Sequence, residues 1–322
     1  MYYLVVDLEG AFMDPLTHTA IGLAVAKVTG NPVVLSEPAT MCIVVGSVFP
    51  DIDILLQKWG DAMYLKNHRG VTHSILGLIA SSLLIGAAAT MIYHTSFLSM
   101  FLWALLGCFS HAFFDTLNAF GAKLLWPILD KKYSLGMFIT FDPVFISLLA
   151  GYIFAGEVVA NYCMAAFLIY FASRGISKLV VVRELYAKYG DEYQHISLLP
   201  SMKGLFKWHF ILEGKEFNII GEKDILRNSL RIVKKLEKLQ DIEVNDVLLS
   251  TVGRFFSEFT PVFHIECEKD GDINRYVFID MRYYLKNKFL HHAVVELDEN
   301  NSVVKQTFNP YSINRSCMVS AK

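Results

Sequence analysis

The sequence predicts an α-helical integral membrane bundle, with about four full spans and an N-terminal helical hairpin, followed by a small soluble α+β domain. Three observations lead to this prediction. The 322-residue chain has a mean hydropathy of +0.39 and is 54% hydrophobic but only 19% charged, which is typical of a protein with several spans. Long apolar runs fill the chain as far as about residue 182. Beyond residue 190, charged residues become frequent and short strand-like segments replace those runs.

The first segment, residues 1–12, lacks the basic region and the cleavage site of a signal peptide. Met13 follows at once and begins "MDPLTHTAIGL", which resembles a natural start. We therefore expect residues 1–12 to be a start extension without a function. The predicted organisation is this extension, a helical membrane domain at 13–188 and an α+β domain at 189–322.

Four full spans are expected, at residues 74–93, 97–120, about 137–156 and about 161–182. The first contains no ionisable side chain and is long enough to cross a hydrocarbon core of about 30 Å. The second is apolar except for His111 and Asp115. Two shorter apolar stretches, at 16–28 and 40–49, predict a helical hairpin that dips into or crosses the bilayer.

Basic residues gather at one side of these predicted spans. The turns on the other side, at 94–96 and 156–161, contain no lysine or arginine. Because basic residues favour the cytoplasmic side, the sequence predicts a multi-pass protein of the cell membrane with its C-terminal third in the cytoplasm. The basic residues concerned are Lys58, Lys66, Arg69, Lys123, Lys131, Lys132, Arg174, Lys178, Arg183 and Lys188.

The C-terminal third has the composition of a small α+β domain. The segments "GLFKWHFIL", "KEFNII", "PVFHIECEK", "RYVFIDMRYY", "HHAVVEL" and "SVVKQTF" are rich in β-branched and aromatic residues and predict strands. Apolar residues at helical spacing predict a helix over 222–240. The net charge of −2 argues against a nucleic-acid partner, and the five scattered cysteines suggest neither a disulfide framework nor a thiolate zinc site.

Polar residues within or beside the apolar segments form the candidate site. With the predicted topology, all of them converge on the cytoplasmic membrane interface. His111 and Asp115 are four residues apart, so they lie on one helix face and can bind one ion together, and Asn118 extends that face. An ionisable group inside a membrane is costly and indicates a function. The set is His18, Asp51, Asp53, His68, His73, His111, Asp115 and Asp142.

Imidazole and carboxylate ligands suit a divalent metal, with zinc preferred and manganese or magnesium as alternatives. The set exceeds what one catalytic ion needs, so either two ions bind or some members support the ligands. Asp51 or Asp53 could bridge two ions or accept a proton, and Arg69 could neutralise a phosphate oxygen. Simpler roles stay open: a lipid-headgroup anchor for Arg69, a helix cap for Asp142 and a helix–helix hydrogen bond for Asn118.

Four blocks in this region resemble the YdjM family of membrane-bound metal-dependent hydrolases: "MDPLTHTAIGL", "GSVFPDIDILL", "NHRGVTHSILG" and "GCFSHAFFDTLNAFG". The resemblance covers about residues 13–160, and the part from residue 190 resembles the longer, Bacillus-type members. It implies a bacterial inner-membrane protein. It also implies a distant similarity to zinc-dependent phospholipase C, and so favours phosphoesters. The metal-site residues that it implies are His18, Asp51, Asp53, His68, His73, His111 and Asp115.

Three functions compete. The first is a hydrolase that uses metal-activated water on a phospholipid-like or membrane-associated substrate at the cytoplasmic face. The second is a non-catalytic metal-binding scaffold or regulator whose cytoplasmic domain binds a protein partner. The third, a cation transporter, is disfavoured because the outer halves of the spans contain no charged residue.

Overall fold

A computed structural model describes residues 15–139, 142–239, 241–285, 288–309 and 317–318. The predicted start extension at 1–12 lies outside these residues. The described chain divides into two compact units: one contains residues 15–55 and 67–177, and the other contains residues 56–66 and the chain from 178 onward. We call the first the membrane unit and the second the C-terminal unit.

In the described chain up to Tyr189, the named elements are helices joined by loops. A 3-10 segment, Phe49–Trp59, continues helix α2, and a second 3-10 turn, Val71–His73, precedes helix α4. The α-helices are α1 (Pro15–Val28), α2 (Pro38–Val48), α3 (Asp61–Asn67), α4 (Ile75–Tyr93), α5 (Phe97–Leu117), α6 (Pro143–Phe154) and α7 (Glu157–Tyr189).

Four of the described helical segments are long and apolar enough to cross a membrane, at Pro38–Trp59, Ile75–Tyr93, Phe97–Leu117 and Glu157–Tyr189. The predicted fold class is confirmed, but the third predicted span is wrong. Only α6, with 12 residues, forms within 137–156. It starts late because Pro143 fits the first turn of a helix, and because the backbone amides of Met137 and Phe138 bond to the Leu117 carbonyl instead. In its place, the fourth segment long enough to cross a membrane is Pro38–Trp59, in which the 3-10 segment continues α2.

Helices α2 and α5 approach each other closely in the membrane unit. A β-carbon at Gly107 of α5 would collide with the carbonyl oxygen of Ile43, and one at Gly46 of α2 would collide with the carbonyl oxygen of Ala104. Small residues permit such backbone contact between helices within a membrane. The contact therefore fixes the spacing of the residues that follow each glycine on the two helices.

The described residues of the C-terminal unit form two larger antiparallel sheets and a third sheet of two short strands, Tyr284–Leu285 and Lys288–Phe289. The first has strand order β1-β2-β3-β4, and the second has order β11-β10-β9-β6-β5. Two helices, α8 (Asp241–Leu249) and α9 (Thr251–Phe259), separate them in the chain. The strands are β1 (His195–Pro200), β2 (Lys207–Glu213), β3 (Phe217–Asp224), β4 (Ser229–Glu237), β5 (Phe263–Asp270), β6 (Ile273–Asp280), β7 (Tyr284–Leu285), β8 (Lys288–Phe289), β9 (His292–Leu297), β10 (Val303–Asn309) and β11 (Cys317–Met318).

The helix predicted over 222–240 is wrong. This segment completes β3, turns at Asn228 and forms β4, which pairs with β3 from Phe217↔Glu237 to Asp224↔Ser229. Asn228 is a residue type that favours such a turn, because its φ is 46° and asparagine tolerates this left-handed conformation. The strands expected elsewhere in this unit are confirmed, while α8 and α9 were not expected.

Candidate metal centre

The ends of several helical segments bring the predicted ligands together within the membrane unit. His18 lies in the first turns of α1, while Asp51 and Asp53 lie in the 3-10 segment that continues α2. His111 and Asp115 occupy the last two turns of α5. The loop after α3 supplies His68 and Arg69, and His73 ends the turn before α4. His73 is fixed there because the next residue, Ser74, caps α4 by accepting a hydrogen bond from the amide of Gly77.

Four of these residues form a compact group that could hold a metal ion: Asp51, His73, His111 and Asp115 each offer a ligand atom, and these atoms lie within 4.8 Å of one another. Nε2 of His73 is 3.1 Å from Oδ2 of Asp115 and 3.4 Å from Oδ1 of Asp51. Nε2 of His111 is 3.4 Å and 3.5 Å from the same two oxygens. We refer to these four residues as the first group.

The two histidines of the first group face each other in a way that calls for a cation. Their Nε2 atoms are only 3.0 Å apart. Nδ1 of His111 lies 2.7 Å from the carbonyl oxygen of Ser47, which can only accept, so this nitrogen carries the hydrogen and Nε2 of a neutral ring holds a lone pair. Nδ1 of His73 lies 3.0 Å from Oγ1 of Thr72, which is 3.4 Å from Oδ2 of Asp53. If Thr72 donates to Asp53, His73 donates to Thr72, and two lone pairs then face each other unless a proton or a metal ion lies between them.

Asp51, Asp53 and His68 form a second group, which shares Asp51 with the first. Nδ1 of His68 lies 3.1 Å from Oδ1 of Asp53. Burial lowers the pKa of His68 more than this carboxylate raises it, which favours the neutral ring that binds metals. Asp51 is therefore the residue that could contact an ion in either group.

His18 lies beside the first group. Its ring stacks on that of His111 with centroids 3.8 Å apart, and its Nε2 is 3.4 Å from Oδ1 of Asp115. Within the described part of the chain, neither nitrogen of His18 and neither oxygen of Asp115 has an aligned hydrogen-bond partner, although all four atoms are buried. Buried polar groups normally have partners, so these atoms and the nitrogen and carboxylate donor set fit a divalent metal ion.

Arg69 is buried and points into the site. Its Nε lies 3.1 Å from Oδ2 of Asp115, and its Nη1 donates a hydrogen bond of 2.8 Å to Oδ1 of Asn118. Its φ of 58° is unfavourable for a residue with a β-carbon, but its amide donates to Oδ2 of Asp53 and its carbonyl accepts from Lys123. Arg69 therefore links the two groups: its side chain contacts Asp115 of the first group, and its backbone amide bonds to Asp53 of the second. Asn118 contacts Arg69 but belongs to neither group.

Asp142, the remaining candidate, lies outside both groups. Its Oδ1 accepts hydrogen bonds from the amides of Val144 and Phe145 and so caps α6, while its Oδ2 accepts one of 2.6 Å from the Tyr170 hydroxyl. Ser47 and Thr72, which orient His111 and His73, were not named from the sequence. Both residues lie in the same sequence blocks as Asp51 and His73, and this position was the signal from which they could have been predicted.

The site is buried but remains accessible at one side. The side chains of His73, His111 and Asp115 are fully buried, whereas those of Asp51 and His68 are 14% and 15% exposed. Asp51 and His68 therefore mark the side of the site that solvent can reach.

Comparisons with known proteins agree with this architecture. Residues 13–184 match the family model described as YdjM inner membrane protein, and residues 244–315 match that of the YfhP C-terminal alpha/beta plait domain. The uncharacterized protein YfhP of Bacillus subtilis (strain 168) is 31% identical over 309 residues, which cover 90% of this chain and 93% of that protein. No solved structure matches. A membrane bundle with these ligands, joined to that C-terminal domain, places the chain in the YdjM inner membrane protein family.

Proposed function

We propose that this protein is a metal-dependent hydrolase that cleaves phosphoesters, of phospholipids or similar molecules, at one membrane face. The observation that supports this most directly is the first group, in which two imidazoles and two carboxylates converge and both oxygens of the buried Asp115 lack an aligned hydrogen-bond partner. The partial exposure of Asp51 and His68 supports a catalytic rather than a closed site, because a catalytic metal must leave a position for water.

In this proposal His73, His111 and Asp115 hold the principal ion, and Asp51, Asp53 and His68 hold a second one if two bind. A bound divalent ion lowers the pKa of water to about 7 and stabilises negative charge on an ester oxygen. Ser47 and Thr72 orient the two imidazoles so that Nε2 faces the site. Asp51 could accept a proton from the attacking water if one ion binds. If two ions bind, Asp51 would be shared between the two groups and Asp53 could accept the proton instead.

In addition to the charge of a bound metal ion, the protein contributes a positive charge to the site through the side chain of Arg69. Its guanidinium holds Asp115 and Asn118 in place, and it lies close enough to the ligands to attract a phosphate group. This charge beside a metal centre is the feature that favours a phosphoester over a carboxylic ester.

The decisive experiment combines metal analysis with hydrolysis assays of the full chain. Wild type, His73→Ala and the control His94→Ala are compared. His94 is an exposed histidine at the end of α4, remote from both groups in the chain. We expect stoichiometric zinc, manganese or magnesium and phosphodiester cleavage in wild type and His94→Ala, and loss of both in His73→Ala. Wild type without metal would refute the proposal, and metal without turnover of any phosphodiester or phospholipid would favour the scaffold instead.

We further propose that the metal centre and the C-terminal unit lie on the cytoplasmic side. The distribution of lysine and arginine supports this orientation. Phosphatase and fluorescent-protein fusions after Gly190 test it: we expect fluorescence without phosphatase activity, and active phosphatase would contradict the assignment.

A further inference from the structure

A second feature of the membrane unit is an apolar cavity of about 320 Å³, partly open, between α1, α5, α6 and α7. Its wall is almost free of polar atoms. Residues of all four helices contribute, among them Ile21 and Ala24 of α1, Phe114 of α5, Leu149 of α6 and Phe167 of α7. This volume is at the lower end of the range for small-molecule sites, and its lining suits a hydrocarbon and not a polar ligand.

Two residues of the cavity wall lie close in the chain to residues of the metal centre. Ile21 follows His18 by one turn of α1, and Phe114 directly precedes Asp115 on α5. The lining then continues along α1 to Thr29, which is about 12 Å beyond Ile21 at the rise of an α-helix. At that far end Lys27 donates a 2.6 Å hydrogen bond to the carbonyl of Tyr152, which fixes α1 to the end of α6. The walls formed by α1 and α6 are therefore joined at this end.

We infer that this cavity holds one acyl chain of a membrane lipid whose polar head lies at the metal centre. The inference rests on the proposed function and specifies its substrate class. Three observations support a hydrocarbon occupant: the lining is apolar, two of the four surrounding helices (α5 and α7) are long and apolar enough to cross a membrane, and lining residues lie within one helical turn of His18 and Asp115. An apolar cavity does not retain water, so in a bilayer the nearest molecules that can fill it are lipid chains.

The cavity would position a substrate rather than increase its affinity. Moving an acyl chain from the bilayer to an apolar wall removes no further apolar surface from water, so little hydrophobic free energy is gained. Positioning nevertheless matters, because a displacement of about 1 Å at the reacting atoms can cost roughly 100-fold in rate. We therefore expect the cavity to determine which substrates are cleaved, and how fast, without affecting metal binding.

Photolabelling tests occupancy without requiring catalysis. The full chain is placed in lipid nanodiscs that contain a phospholipid with a photoreactive group in its acyl chain, and labelled residues are mapped. We expect labelling of the α6 residues Leu148–Tyr152 to fall at least fivefold in Ala24→Phe, which fills the cavity. It should stay at the wild-type level in Ala88→Phe, the same change on the exposed face of α4. If Ala24→Phe does not fold, Met164→Phe fills the cavity from α7.

Hydrolysis assays separate this inference from the proposed function. In the cavity-filling variant, cleavage of long-chain phospholipid should fall by roughly tenfold or more, while cleavage of a small water-soluble phosphodiester and the metal content stay unchanged. Unchanged labelling in a folded cavity-filling variant would overturn the inference and leave the hydrolase intact. Failure of metal-loaded wild type to cleave either substrate would overturn the hydrolase, while the labelling result would still decide whether the cavity binds lipid.

Discussion

Removing the metal should destabilise the membrane unit by an amount that follows from the charges of the site. Asp51, Asp53 and Asp115 contribute three negative charges, and Arg69 contributes one positive charge. With neutral imidazoles, two negative charges remain in a largely buried site, and one divalent cation compensates them. Chelation leaves these charges unpaired, and an uncompensated buried charge is strongly destabilising.

The expected magnitude follows from binding linkage. A metal present at a hundredfold excess over its Kd stabilises the folded state by about 2.7 kcal/mol. The membrane unit contains about 150 residues, for which each kcal/mol shifts the melting temperature by about 2–4 °C. Complete chelation should therefore lower the Tm of this unit by about 5–11 °C.

The assay is thermal unfolding of the detergent-solubilised chain, followed by tryptophan fluorescence or circular dichroism, with and without a chelator. His73→Ala removes a ligand and should abolish the chelator-dependent shift, whereas His94→Ala should keep it in full. Readdition of the metal should restore the wild-type Tm. The reasoning fails if metal-stripped wild type melts at the same temperature as the loaded protein, or if His73→Ala keeps the whole shift.

Three further predictions concern residues outside the ligand groups. Asp142→Ala should cost about 1–2 kcal/mol in thermal unfolding because it removes a helix cap and the partner of Tyr170, with no change in metal content; loss of metal would contradict the assignment as a cap. Burial and nearby lysines lower the pKa of His264 from 6.5 to about 4, so the C-terminal unit should lose about 3 kcal/mol of stability as the pH falls from 6.5 to 4. His264→Gln should flatten this dependence in pH-resolved urea unfolding. Gly107→Ala should lower the Tm and weaken metal binding at least tenfold by calorimetric titration, whereas Gly156→Ala, with open space around it, should do neither.

The sequence predicted the candidate site best where ionisable residues lie inside apolar segments. His111 and Asp115 stood out because ionisable groups are rare in apolar helices, and their spacing placed them on one face. The lysine and arginine count then predicted which helix ends share one side of the membrane. His18 and His73 come from segments far apart in the chain, yet the structure brings both to Asp115.

The local spacing of apolar residues predicted secondary structure less reliably where a helix and a β-hairpin fit the same spacing. The apolar residues of 222–240 fit a helix, but the pairing of β3 with β4 and the turn at Asn228 determine the observed hairpin. Similarly, the apolar composition of 137–156 could not reveal that Met137 and Phe138 bond to the end of α5. The cavity depends on how four helices pack, which periodicity within one segment does not specify.

The close contact between α2 and α5 has a consequence for how this protein can change over evolutionary time. Gly46 lies one residue before Ser47, which orients His111, and Gly107 lies one turn before His111 itself. The distance between the site residues on the two helices therefore depends on the absence of a side chain at Gly46 and at Gly107. A methyl group added at either glycine would separate the ligands without altering any of them. Drift at these two positions is thus a route by which a descendant could change the size of the ion that the site can hold, or lose the site, while every histidine and aspartate is kept.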